Sequence, residues 1–137
     1  KVGEEFKKSL EDLEQQGITS LIIDVRENTG GYLKGATEIA SLFLEKGKNI
    51  YSLEGKDGVT TYKDETDEKR DYPIILLINE NTASASEVLA AALQDSYGAK
   101  LVGKISYGKG KVQQTKQLED GSMVKYTSAR WLTPEGE

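Results

Sequence analysis

The run Pro73-Ile74-Ile75-Leu76-Leu77-Ile78-Asn79 is the feature that most limits how this chain can fold. Its five apolar residues are rich in β-branched side chains and have polar sequence after them, which predicts a strand. Because the apolar side chains of such a strand point to both faces, we predict a central strand covered on both sides, as in a parallel sheet. The chain then passes through Glu80-Asn81-Thr82-Ala83 into a predicted helix over residues 85–97.

The rest of the chain repeats this alternation of helix and strand. In chain order we predict a helix over residues 1–16, a strand over 20–25, a helix ending near Gly47, a hairpin within 49–71, the central strand and its helix, a short strand over 100–103, and two strands over 112–118 and 123–129. This order predicts an α/β fold with a largely parallel sheet and an antiparallel hairpin at the C-terminal end. The acidic run at residues 64–68 is interpreted as a solvated loop without a function.

Two missing residue types narrow the chemistry. The 137 residues contain no His and no Cys, which excludes a Ser-His-Asp triad, thiol catalysis, disulfides and zinc sites built on these residues. An enzyme of this composition must use Ser, Thr, Lys, Tyr and carboxylates. The net charge of −5 argues against nucleic acid as the main partner, because phosphate binding requires clustered Lys and Arg.

Ser84 stands where the predicted central strand leads into a helix. Ser84 and Glu87 match the S-x-x-E capping box, so Ser84 as a simple helix cap is the more common interpretation of these residues alone. A serine at a helix N-terminus is also well placed to form an oxyanion, because the backbone amides there point outward. The two interpretations are compatible.

A serine hydroxyl becomes a good nucleophile only when a neighbouring group takes its proton. Without His, the candidate base is a lysine made neutral by burial, since a free lysine titrates near ~10.4. Lys109 lies between Gly108 and Gly110, which allow close backbone approach, whereas most lysines are surface residues. The segment 103–109 also matches the start of a phosphate-binding G-x-x-x-x-G-K loop. Gly110 replaces the required Ser or Thr and a strand is predicted to follow, so the nucleotide interpretation fails.

The paired glycines Gly30 and Gly31 follow the strand predicted at residues 20–25. They are consistent with a tight turn, and equally with a free amide that donates to a substrate carbonyl beside the amide of Ala85. The residues alone leave both alternatives open.

Together these segments resemble the carboxyl-terminal processing, or tail-specific, serine peptidases. The resemblance covers almost the whole chain and rests on four motifs in order, which are Asp24-Val25-Arg26-Glu27-Asn28-Thr29-Gly30-Gly31, Ser84-Ala85-Ser86-Glu87, Tyr107-Gly108-Lys109-Gly110-Lys111-Val112-Gln113 and Leu132-Thr133-Pro134-Glu135-Gly136. It implies Ser84 as nucleophile, Lys109 as general base, Gln113 as the residue that orients the lysine, and the amides of Gly30 and Ala85 as oxyanion donors. It also implies a crotonase-like or ClpP-like β/α superhelix.

The resemblance further implies an endopeptidase that needs no metal or cofactor and acts on proteins with exposed C-terminal tails. We expect residues 1–137 to form a catalytic core without the PDZ domain of this family, and therefore without its tail recognition. An extracytoplasmic location is expected, and homo-oligomerisation and the activity of the isolated core are left open. The alternative is a non-catalytic peptide- or ligand-binding module on the same fold.

Overall fold

The computed structural model describes residues 2–108 and 110–134, without the side chains of residues 2, 111–116 and 124–128. The described helices and strands are, in chain order, α1 (Val2–Gln15), β1 (Leu21–Asp24), α2 (Leu33–Ser41), β2 (Asn49–Gly55), β3 (Gly58–Lys63), β4 (Ile74–Ile78), α3 (Ala85–Ala92), β5 (Lys100–Gly103), β6 (Lys111–Gln117) and β7 (Met123–Leu132). None of the described helices is long and apolar enough to cross a membrane.

The predicted central strand is confirmed. Strand β4 lies between β1 and β5 in a three-stranded parallel sheet, and Leu76 at its middle is fully buried. Because β1 and β4 run in parallel, with Asp24 opposite Leu77, the loops that follow them leave the sheet at the same edge. These loops carry the Asn28–Gly31 segment and Ser84.

A second sheet is larger than the sequence predicted. The two predicted hairpins, β2–β3 and β6–β7, join into one antiparallel sheet with the order β3-β2-β7-β6. Strand β7 continues three residues beyond the predicted end at Ala129, and Trp131 in this extension pairs with Leu53 of β2. This pairing joins residues far apart in the sequence, so no local pattern reveals it.

The hydrophobic core lies where the helices pack against each other and against the sheets. Helix α2 packs on α1 and α3, and α3 also packs on β2 of the second sheet. Phe43, just beyond α2, is almost fully buried and makes edge-to-face contacts with Phe6 and Tyr97. Burial of one such side chain stabilises the fold by about 1.5–3 kcal/mol. The predicted helix over 85–97 is helical throughout, but its last turn, Leu93–Tyr97, is a π-helix.

The interpretation of residues 64–68 as a solvated loop is confirmed for residues 65–67, which are exposed and lie outside helices and strands, but was wrong for Asp64. Asp64 is only 1% exposed, and its Oδ1 atom accepts hydrogen bonds from the amide and hydroxyl of Thr66, each at 2.9 Å. Glu68 is ion-paired with Lys7 at 3.0 Å and with Arg70 at 3.3 Å. Charge content alone predicted exposure here, whereas ion pairs and a local turn partly bury the run.

Candidate active site

Ser84 lies where the chain leaves β4 and enters α3. Its backbone has φ 56° and ψ −122°, in the positive-φ region that residues other than glycine rarely adopt. An ordinary N-cap residue has extended backbone angles, so capping alone does not account for this conformation. Backbone strain of this kind costs on the order of 1–3 kcal/mol and is concentrated at functional sites. A sharp, strained strand-to-helix turn is also how one large class of hydrolases exposes a nucleophilic serine.

Hydrogen bonds fix the loop before Ser84 to the end of β1. The buried hydroxyl of Thr82 donates to the carbonyl oxygen of Val25 at 2.7 Å and accepts the amide of Asn79 at 3.0 Å. The amide of Ala83 donates to the carbonyl oxygen of Asn28 at 3.1 Å. The parallel pairing of β1 and β4 therefore continues into a direct contact between their two loops.

The Asn28–Gly31 segment packs directly against Ser84. Gly30 has φ 94°, and a Cβ atom there would lie 2.8 Å from the carbonyl oxygen of Ala83 and 2.8 Å from the amide nitrogen of Ala85. The Oδ1 atom of Asn28 accepts the amide of Gly30 at 2.9 Å and the hydroxyl of Ser86 at 2.8 Å. Gly30 is thus required both by its backbone angles and by the close approach of the two loops.

Two of the predicted site residues, Gly30 and Ala85, meet at this contact. Ala85 is the first residue of α3, and its amide is one of those that a helix leaves without an intrahelical partner. The amide of Gly30 donates to Asn28, so it can reach a substrate oxygen only by sharing or exchanging that acceptor.

Glu87 connects Ser84 to a third segment. Its Oε1 atom accepts the amide of Ser84 at 3.0 Å, which is the contact expected of a capping-box glutamate. Its Oε2 atom accepts the hydroxyl of Ser106 at 2.6 Å and the amide of Gly108 at 2.7 Å. The S-x-x-E spacing predicts the first of these contacts. The donors of the other two lie 19 and 21 positions further along the chain, so no local sequence pattern indicates them.

The two remaining predicted catalytic residues are described in part or not at all. Lys109 lies outside the described residues. Gln113 lies in β6, where its backbone pairs with Thr127 next to a shift in register, and its side chain is not described. The loop that precedes Lys109 in the sequence is held at the site, because the amide of Tyr107 donates to the carbonyl oxygen of Thr82 at 2.9 Å. The segment after Gly110 is strand β6, as predicted, and not the helix that follows a nucleotide-binding loop.

An ion pair borders the Asn28–Gly31 segment at the end of β1. Two guanidinium nitrogens of Arg26 donate to the carboxylate of Asp24 at 3.0 and 2.9 Å. These hydrogen bonds lower the pKa of Asp24 to about 2, so its carboxylate is ionised at neutral pH. Both residues belong to the first motif of the family resemblance, which implies no role for them.

A groove of about 440 Å³ opens beside the site. Glu87 and Gly108 line one side, and Trp131 and Leu132 of β7 supply apolar surface. Another depression, of about 530 Å³, is lined by Phe43, Arg70 and other residues, and among the described residues neither its lining nor that of the groove includes a predicted site residue. Within the described part of the chain, no cluster of three or more acidic side chains could hold a metal ion.

Comparison with known proteins gives consistent matches. The model of peptidase family S41 matches residues 1–137. The carboxy-terminal processing protease CtpA of Bacillus subtilis is 42% identical over 98% of this chain, and a CtpA-like serine protease of Staphylococcus aureus is 42% identical over 96%. The chain spans only 29% and 27% of those relatives.

Among solved structures, a photosystem II D1 C-terminal processing protease superposes with a TM-score of 0.92 at 33% identity, over 98% of this chain and 35% of its own. That agreement confirms the ClpP-like β/α superhelix expected from the resemblance. The family match over the full sequence, the relatives and the shared fold all lead to one conclusion: this chain belongs to peptidase family S41.

Proposed function

We propose that this chain carries the catalytic centre of a serine endopeptidase that hydrolyses peptide bonds of proteins near their C-termini. The observation that carries the proposal is the strained backbone of Ser84, at φ 56° and ψ −122°, on a turn packed against Gly30. A helix cap does not require this backbone strain. A turn that exposes the Ser84 side chain for reaction accounts for it.

In the proposed mechanism, neutral Lys109 takes the hydroxyl proton as the Ser84 oxygen attacks the substrate carbonyl carbon. The amides of Ala85 and Gly30 stabilise the resulting oxyanion. Lys109 then gives the proton to the leaving amine as the peptide C–N bond breaks, and water hydrolyses the acyl-enzyme. Gln113 orients the lysine, and no metal or cofactor takes part. The loop through Gly108, held at the site by Glu87, supports the assignment of Lys109.

We propose protein substrates with exposed C-terminal tails, in keeping with the name of the Bacillus subtilis relative, a carboxy-terminal processing protease. The groove beside Glu87, with the apolar surface of Trp131 and Leu132, is suited to an apolar substrate side chain. Because the relatives are much longer than this chain, selection of the tail is proposed to involve parts beyond these 137 residues. An extracytoplasmic location is proposed on the family resemblance alone.

The test is cleavage of an unfolded protein by the natural protein that contains this sequence. Wild type would be compared with Ser84→Ala, Lys109→Ala and Ser86→Ala. We expect Ser84→Ala and Lys109→Ala to abolish turnover while Ser86→Ala retains measurable activity. Turnover by Ser84→Ala at the wild-type rate would refute the assignment, as would a folded wild type that cleaves nothing.

A further inference from the structure

Glu87 makes more contacts than a helix cap requires. A capping glutamate needs only one oxygen, to accept the N-cap amide. Here Oε1 accepts the amide of Ser84, while Oε2 accepts two donors from another loop, the hydroxyl of Ser106 and the amide of Gly108, at 2.6 and 2.7 Å. The residue is only 6% exposed, so these hydrogen bonds are shielded from competing water.

The loop that Glu87 holds has a further attachment to the same segment. The amide of Tyr107 donates to the carbonyl oxygen of Thr82 at 2.9 Å. Three consecutive residues, Ser106 to Gly108, are therefore hydrogen-bonded to the short segment 82–87, which contains Ser84. Gly108 has φ 88°, a conformation that suits glycine, so the backbone angles of the loop favour this residue in addition to its hydrogen bonds.

We propose that Glu87 is a positioning residue that sets the loop leading to Lys109 against Ser84, an inference that rests on the proposed Ser84–Lys109 chemistry. One carboxylate oxygen of Glu87 accepts the backbone amide of Ser84. The other accepts donors of Ser106 and Gly108, and Gly108 immediately precedes Lys109 in the sequence. Proton transfer between two side chains requires them within hydrogen-bond reach, and a displacement of about 1 Å can cost roughly 100-fold in rate. In this proposal Glu87 acts on the reaction through the loop that it holds.

Replacement of Glu87 by glutamine separates this role from simple packing. Glutamine keeps the shape but has one oxygen and one NH₂ group, which donates and cannot accept. If the amide oxygen of the substituted side chain accepts the Ser84 amide, its NH₂ group can donate to the Ser106 hydroxyl but faces the Gly108 amide, which only donates. We therefore expect E87Q to loosen the loop at Gly108 while the helix remains capped.

The experiment compares wild type with E87Q, Ser106→Ala and the double variant in the natural full-length protein. Steady-state kinetics on an unfolded protein gives kcat and KM, and hydrogen exchange followed by mass spectrometry probes peptides covering residues 82–88 and 104–110. The matched control is Glu14→Gln, which removes another partly buried carboxylate, hydrogen-bonded to Arg70 and Tyr72, from a different region.

We expect E87Q to lower kcat by about 10- to 100-fold with little change in KM, and to accelerate exchange in 104–110. Ser106→Ala should lower kcat less, and should add little in the E87Q background because both act through Oε2. Glu14→Gln should leave kcat unchanged. Wild-type kcat in E87Q, or independent additive losses in the double variant, would overturn the proposal.

The variants also distinguish a folding failure from a failure of the proposed function. If E87Q does not fold, the half-buried Ser106 carries the test, and wild-type kcat and exchange in a folded Ser106→Ala would overturn the proposal. If Ser84→Ala still cleaves, the proposed function fails. Hydrogen exchange of residues 104–110 alone then tests whether Glu87 holds the loop. Unchanged protection of 104–110 in E87Q would show that the carboxylate does not hold the loop.

Discussion

Gly30→Ala is the change that most sharply tests the contact between the two loops. The φ of 94° would cost an alanine about 1–2 kcal/mol. Its Cβ would lie 2.8 Å from the Ala83 oxygen and from the Ala85 nitrogen, well inside the 3.4 Å at which ordinary contact begins. Both neighbours are backbone atoms and cannot rotate away, so overpacking adds about 1–3 kcal/mol. We expect a total destabilisation of about 2–5 kcal/mol.

Relief of this clash must move the turn away from Ser84 and Ala85, so activity should fall further than stability accounts for. A loss of about 10- to 100-fold in kcat is expected under conditions in which the variant is folded. Gly31→Ala is the matched control, because a Cβ there meets no atom within 4 Å. Urea unfolding and cleavage of an unfolded protein give the two quantities. Equal stability and activity in the two variants would refute the described packing of Gly30.

Three further changes have defined outcomes. Ser86→Ala removes one of the two donors to Asn28 Oδ1, so we expect a few-fold lower kcat from a looser turn; a loss as complete as in a nucleophile variant would contradict this role. The hydrogen bond from Arg70 lowers the pKa of Glu14 below 4.5, so this carboxylate stabilises the fold above that pH, and its contribution is lost as pH falls through the lowered pKa. Urea unfolding of wild type and Glu14→Gln should therefore converge in acid, and a constant difference down to about pH 3 would be inconsistent with the ion pair. Asp64→Ala should lower the free energy of unfolding by about 0.5–1.5 kcal/mol, because the amide and hydroxyl of Thr66 lose their acceptor; an unchanged urea midpoint would contradict a stabilising role of these hydrogen bonds.

Local patterns were sufficient for the elements that depend on local physics. The apolar run at β4 forms a strand as predicted, and the first helix ends at Gln15, one residue before its predicted end, ahead of Gly17 with φ 83°. The two strands predicted at the C-terminal end form an antiparallel hairpin, and its turn contains Gly121, with φ 89° and a hydrogen bond from its amide to the carbonyl oxygen of Leu118. Each of these follows from side-chain burial or from the conformational freedom of one residue.

The features that sequence reasoning missed depend on contacts between distant segments. The joining of the two hairpins through Trp131, and the bonds from Ser106 and Gly108 to Glu87, connect residues without any shared local pattern. Composition misled the interpretation of Asp64, because a charged side chain can be buried where a local turn supplies hydrogen-bond donors to it. The S-x-x-E spacing was correct for the cap but gave no sign of the strain at Ser84, which lies in backbone angles alone.

The most direct test of the central claim is to identify the atom that reacts. The natural protein would be treated with a fluorophosphonate, which forms a covalent bond with an activated serine oxygen, and the modified residue would be mapped by mass spectrometry. We expect the adduct on Ser84, absent in Ser84→Ala, strongly reduced in Lys109→Ala and retained in Ser86→Ala. An adduct on Ser86, or labelling of Ser84 at the same rate without Lys109, would contradict the proposed catalytic centre.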